Sequence, residues 1–289
     1  MKETKMHSKS TRTLVSKVII YLFIAIVMVL VMFPLVYTFF GSFKSNAELL
    51  TNAHKVLPEK FQTSNYANAW KSANFAQYTW NSLAMAVPIV IGTIFSLTTA
   101  AYVFERGHFP GKKLLFLIIT SSMFISLGSL TLYPLFKIAK FFSINKSLWG
   151  VVIIRVLGIN VTNLYVAKSY INSISTEIDD AAKIDGCSFF SIFTRIIFPL
   201  CKPLIATLGI LEFRFAWNDY LLPMVFTMSN KARMPLVVGI IGLKASEEAA
   251  SSWTLMLAGT TISLIPIIVV YIFFNRLFID GLTSGAVKG

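Results

Sequence analysis

Four charged residues, Arg155, Glu212, Arg214 and Asp219, sit inside long apolar stretches of the chain and are the residues best placed to do chemistry. An ionised side chain in hydrocarbon is costly enough that it either pairs or lines a polar pathway. Glu212 and Asp219 stand seven apart and so are expected to share a helix face, with Trp217, Asn218 and Tyr220 close by. Hydrogen-bonding groups beside aromatic faces suit a sugar. The same residues equally suit ion pairs of Glu212 or Asp219 with Arg155 or Arg214 that hold helices together, and the sequence leaves both readings open.

Other reactive groups are sparse. His7, His54 and His108 all lie outside the apolar stretches. Cys187 and Cys201 are too few for a disulfide framework, and nothing around them has metal-ligand spacing. No constellation of reacting groups emerges, which argues against a membrane-embedded enzyme. No catalytic residue, metal ligand or chain-bound cofactor is expected.

The elements that must position the buried charges follow from hydropathy. Val18 to Phe40, Ser82 to Phe104, Leu114 to Phe136 and Trp253 to Asn275 each run 23 residues without Asp, Glu, Lys or Arg. At about 1.5 Å per residue, each is long enough to cross a hydrocarbon core of about 30 Å. Leu148 to Ala167 and Pro203 to Phe226 are comparable but carry the charges. The expectation is an all-α integral membrane protein with six spans in residues 18–275, a short N-terminal tail over 1–17 and a C-terminal tail over 276–289. The first span is too long for a signal peptide and has no small-residue cleavage site after it, so it is expected to stay as an anchor.

Hydrophobic residues make up 55% of the chain and charged ones 13%, outside the usual range of soluble domains. The net charge of +13 is scattered over tails and loops, which points to anionic lipid headgroups and not to nucleic acid. With the N-terminus inside, fourteen Lys and Arg fall on the cytoplasmic side and ten on the other. The cluster Arg106, Lys112, Lys113 and the basic N-terminal tail place both termini in the cytoplasm. The first loop, Gly41 to Asn81, carries Phe61, Tyr66, Trp70, Phe75, Tyr78 and Trp80. These suit either a partner-facing segment or simple anchoring at the headgroup layer. Gly92, Ser96 and Ala100, and Gly259 with Ser263, recur every four residues, a spacing that lets helices approach closely. No internal repeat and no interrupted helix is visible, and one domain suffices.

Between the fourth and fifth spans, Ser173 to Pro203 reads as two short helices hinged at a glycine. Thr176 is expected to cap the first, with Glu177, Asp179 and Asp180 at its favourable positive end. Ile178, Ala181, Ala182 and Asp185 are expected on one face, small enough for a partner to come close. Gly186 ends that helix and Ser188 caps the next. Phe189, Ile192, Phe193, Ile196 and Ile197 then form an apolar stripe before Pro199 and Pro203.

Asp180-Ala181-Ala182, three residues, Gly186, nine residues, then Ile196-Ile197-Phe198-Pro199 resembles the EAA loop of binding-protein-dependent ABC importers. That pattern is Glu-Ala-Ala, three residues, Gly, nine residues, Ile-x-Leu-Pro. Asp180 stands for the usual Glu and Phe198 for the usual Leu. Phe213-Arg214-Phe215-Ala216-Trp217-Asn218-Asp219-Tyr220 through Pro223 resembles the Phe-x-x-x-Trp-Asn segment of the maltose-type carbohydrate-uptake branch. The ending Gly281-Leu282-Thr283-Ser284-Gly285-Ala286-Val287-Lys288-Gly289 resembles the tail of its smaller membrane subunit.

The resemblance implies a type I ABC importer permease fold with cytoplasmic EAA coupling helices. It implies coupling to a cytoplasmic ABC ATPase dimer through Glu177, Asp180, Ala181, Ala182, Asp185, Gly186, Ile196 and Pro199. It also implies a second permease subunit, an extracytoplasmic solute-binding protein, a sugar as cargo and a location in a prokaryotic plasma membrane. Gly281, Gly285, Lys288 and Gly289 are expected to reach the ATPase. No phosphate-binding Gly-x-x-x-x-Gly-Lys-Ser/Thr loop is present, the nearest segment being Gly111-Lys112-Lys113, so ATP and Mg belong to that separate subunit. The rivals are an ion-coupled secondary carrier, which would show inverted repeats and broken helices, and an ABC permease for a solute other than a sugar.

Overall fold

A computed structural model describes residues 3–72, 74–125, 127–242 and 253–286 of the chain. Among these every regular element is a helix. α1 (Glu3–Gly41), α4 (Phe75–Arg106) and α15 (Trp253–Ala286) are the long ones. Each contains a stretch long and apolar enough to cross a membrane: Ser16–Gly41, Phe75–Arg106 and Trp253–Arg276. The tail expected over 1–17 is helical from Glu3, and the helix of the last span runs on through Gly281 and Gly285 to Ala286. Lys288 and Gly289 lie outside the described residues.

The other three expected spans are interrupted, contrary to the sequence reading. Leu114 to Phe136 becomes α5 (Lys112–Ser121), two 3-10 turns at Ser122–Phe124 and Gly128–Thr131, and α6 (Leu132–Phe141). The fourth becomes α7 (Leu148–Leu157) and α8 (Val161–Ser173), bent by 49° where Gly158 ends one helix and Asn160 caps the next. The fifth becomes α12 (Lys202–Trp217) and α13 (Leu221–Thr227), parted at Asn218–Tyr220. Hydropathy hides such breaks because an apolar stretch stays apolar whether or not its backbone is continuous.

The chain divides into two compact units. The first comprises residues 1–71 and 243–262 and holds α1, α2 (Asn46–Thr51) and most of α3 (Ser64–Ser72). Its loop is folded and not merely a surface belt. The Asn65 amide donates to the carbonyls of Ser42 and Lys44 at 2.9 and 2.8 Å, and Phe43 packs against Phe61 and Tyr66. Asn46 accepts hydrogen bonds from the amide and hydroxyl of Thr254.

The second unit comprises residues 72–242 and 263–289, with α4 packed against α7, α8, α12 and α14 (Leu236–Gly242). Two aromatics of the first-loop set, Phe75 and Tyr78, are buried here, with the Tyr78 ring so close to Gly239 that a Cβ there would stand 2.2 Å from it. Trp80 stays exposed. Gly92 lets α4 approach α7 closely: a Cβ there would stand 2.7 Å from the side chain of Val156. The Asn81 amide donates to the carbonyls of Ala232 and Met234 at 2.8 and 3.0 Å, tying the 231–236 turn to the start of α4.

Candidate functional site

The glycine-hinged segment folds as a hairpin of α9 (Thr176–Ile184) and a helix over Phe189–Leu200. Ser175, not Thr176, is the N-cap, its hydroxyl accepting from the Glu177 amide at 3.3 Å. The one-residue difference reflects two adjacent hydroxyl residues, either of which can cap. At the other end the Gly186 amide donates to the Lys183 carbonyl at 3.0 Å and the Cys187 amide to the Ala182 carbonyl at 2.9 Å. This pair of bonds is the Schellman motif, and it needs the left-handed φ of +80° that Gly186 adopts. Ser188 caps the second helix through the Ser191 amide. Pro199 has no N–H to continue the ladder, and the helix widens ahead of it into a π turn over Phe193–Ile197, with the Phe198 amide bonded to the Phe193 carbonyl. At Cys201 the chain bends by 77° into α12.

The hairpin has two faces, and they divide differently from the sequence expectation. Ala182 and Asp179 are buried, 4% and 3% exposed, together with Ile192, Phe193 and Ile197 of the second helix. Glu177, Ile178, Asp180, Ala181, Ile184, Asp185 and Pro199 are exposed, and Ile196 is half-buried. Ala182 therefore packs inward and does not share the accessible face with Ala181. Asp180 pairs with Lys183 at 2.8 Å on the outside.

Asp179 is the fastening point. Its carboxylate lies 3.3 Å from Arg106 Nε at the end of α4 and accepts a hydrogen bond from the Tyr102 hydroxyl at 3.1 Å. The Arg106 contact is ionic without hydrogen-bond alignment. Arg106 Nη2 donates in addition to the carbonyls of Ile171 and Ile174 at the end of α8. One guanidinium thus joins α4, α8 and α9, and an open cleft of about 750 Å³ beside it is lined by Arg106, His108, Asn172, Asp179 and Lys183. In the sequence Asp179 suggested only a helix-dipole contact and Arg106 only a topology signal. Their separation along the chain leaves no spacing that betrays the pair.

The intramembrane charges are sorted by the break after Trp217. Asp219 lies past the end of α12 and shares no helix face with Glu212. Its Oδ2 receives both Nε and Nη2 of Arg155 at 2.8 Å, and the Arg155 guanidinium lies 4.9 Å over the Phe215 ring. Glu212 is 3% exposed and accepts from the Asn163 amide, joining α12 to α8. Trp217 is 1% exposed, with its indole N–H donating to the Ser263 carbonyl at 3.1 Å. Asn218, Asp219 and Tyr220 line a cleft of about 440 Å³ together with Arg155, Arg214 and Phe215, and with Ser129 and Thr131 from the break in the third stretch. Of the five residues marked for a pathway, the structure gathers three at this cleft and turns Glu212 and Trp217 into helix-to-helix contacts. Among the described residues no three His, Cys, Asp or Glu side chains converge as a metal site would require.

Among the described residues the chain is all-helical, with interrupted apolar stretches, a polar cleft at the breaks and a hairpin fastened to the bundle by Asp179 and Arg106. The fold matches that of a chain in the crystal structure of a bacterial ABC transporter involved in the import of the acidic polysaccharide alginate, with a TM-score of 0.77, 23% identity and coverage of 91% of this chain and 96% of that one. Residues 71–283 match the binding-protein-dependent transport system inner membrane component family, and the chain belongs to it. It is 31% identical over 250 residues to the probable starch degradation products transport system permease protein of Thermoanaerobacterium thermosulfurigenes, covering 86% of this chain and 88% of that one. It is 29% identical to the galactooligosaccharides transport system permease protein of Bacillus subtilis over 272 residues, 93% and 94% of the two chains.

Proposed function

We propose that this chain is the permease subunit of an ATP-driven ABC importer that moves a mono- or oligosaccharide released by an extracytoplasmic binding protein. In this reading it pairs with a second permease, and a cytoplasmic ATPase dimer binding ATP and Mg grips the α9 hairpin. The supporting observation is the two-faced hairpin. Its outer face, Ile178, Ala181, Ile184 and Asp185, is free for a partner, while Asp179 fastens its inner face to the ends of α4 and α8. A short helix held this way transmits rigid-body motion to the long helices without an extended chain of couplings. The six-span topology with both termini cytoplasmic is retained by counting each broken stretch as one span. The end of α15 and the residues after it are proposed to contact the ATPase, and deleting Thr283 to Gly289 is expected to impair coupling while leaving insertion intact. The sugar assignment is supported by the names of the relatives.

Single cysteines at Ala181 and at Ile184, which is 88% exposed, test the docking face in a Cys187→Ser background; Ala182 is too buried for the purpose. Cross-linking is expected to capture the ATPase from both positions. Capture from neither, or full-rate uptake into vesicles lacking nucleotide, would overturn the proposal.

A further inference from the structure

We infer that the cleft at the Asn218–Tyr220 break binds an anionic saccharide, with Arg214 holding the oxyanion. The inference rests on the reading of the chain as a sugar permease and adds the charge class of the sugar. Three charged side chains line the cleft: Arg155, Arg214 and Asp219. Two of them cancel, because Arg155 places two nitrogens on one oxygen of Asp219 and is covered by the Phe215 ring. Arg214 is left over. It is exposed, and among the described residues no carboxylate pairs with it.

Its position makes the surplus meaningful. Arg214 stands twelve residues beyond Lys202 on α12, roughly 18 Å along the axis, so its side chain cannot reach back to that end of the helix. Apolar sequence continues past the break in α13, Leu221–Thr227. A guanidinium at such depth is tolerated in a water-filled cavity or beside an anion, and its planar fork matches a carboxylate or a phosphate ester in bidentate geometry. The neutral groups around it, Ser129, Thr131, Asn218 and Tyr220, suit sugar hydroxyls, and about 440 Å³ lies within the range of small-ligand sites.

The test uses the assembled importer, with its second permease and ATPase, in phosphatidylcholine nanodiscs without the binding protein. Binding is measured for three labelled probes: a disaccharide bearing a glucuronate residue, its neutral counterpart, and glucose 1-phosphate. At least one anionic probe is expected to bind about tenfold or more tighter than the neutral one. The two anionic arms separate a carboxylate site from a phosphate site. Arg214→Gln is expected to abolish the preference and Arg214→Lys to retain part of it. Equal or tighter binding of the neutral sugar, or a preference that survives Arg214→Gln, would overturn the inference. Loss of the second permease from the Arg214→Gln complex with the preference intact would assign Arg214 to the subunit interface, which overturns it too. ATP hydrolysis by the same wild-type sample is the separate check on the permease reading.

Discussion

Removing the charge of Asp179 should uncouple the hairpin from the bundle without unfolding either. The pair it forms with Arg106 is nearly dry, with side chains 5% and 10% exposed. Breaking a buried pair from one side costs about 3–5 kcal/mol, because the remaining ion is left uncompensated. Asp179→Asn keeps an oxygen for the Tyr102 hydroxyl, so its cost is that of the charge alone, toward the lower end of this range. Arg106→Gln should cost more, since the guanidinium's bonds to the carbonyls of Ile171 and Ile174 are lost as well as the counter-ion of Asp179, although the Ile171 carbonyl keeps the Ile174 amide.

Cys201, fully buried, is a natural reporter for a thermal assay with a thiol-reactive dye in a Cys187→Ser background. Each single variant should lower the melting temperature. The double variant should lose clearly less than the summed losses, because the two sites share one interaction. In vesicles, ATP hydrolysis should persist while sugar uptake per ATP falls. Strict additivity, within about 0.5 kcal/mol, would refute the latch. So would an unchanged uptake-to-hydrolysis ratio in Asp179→Asn.

Gly186→Val should insert normally but lose coupling: nothing lies within 4 Å of the added Cβ, so the penalty is the left-handed φ, about 1–2 kcal/mol. Gly186→Asn should be milder, with uptake per ATP as the readout. Gly92→Val should destabilise by about 1–3 kcal/mol through overpacking on Val156, and Val156→Ala should restore part of the loss in a melting assay. Glu212→Gln should leave sugar affinity unchanged, since its carboxylate meets Asn163 away from the cleft, whereas Asn218→Ala should weaken binding. Equal effects of these last two on a binding isotherm would restore Glu212 to the pathway.

The hairpin was the most legible part of the molecule because its signals are local. A glycine that must turn left-handed, hydroxyls that cap and a run of Ile and Phe are written in residue type and spacing; the first cap shifts by one residue to Ser175, and Phe189 of the expected stripe stays exposed. The side on which Ala182 falls was not legible, since Ala181 and Ala182 look alike until a neighbour chooses between them. The Arg106 to Asp179 latch and the Glu212 to Asn163 contact are tertiary and have no period. Glu212 and Asp219 misled for a definite reason: seven-residue spacing implies a shared face only on an unbroken helix, and α12 stops between them.

That stop has a physical requirement attached. In hydrocarbon, backbone amides and carbonyls freed where a helix breaks must be satisfied by protein or face a water-filled cavity. Gly128–Thr131 and Asn218–Tyr220 are two such breaks in stretches that hydropathy alone would run straight through, and residues of both line the same cleft. At Asn218 the side-chain amide turns back to cap the Arg214 carbonyl at 2.8 Å, while Leu222 offers its amide to Asp219. The side chains that repair the backbone are therefore the ones that make the cleft polar. Closing the break with Asn218→Leu would remove a cap and a cleft-lining hydrogen-bonding group in one step, so stability and sugar binding should fall together in that variant. A variant that kept full sugar affinity while losing stability would show that the break serves packing alone.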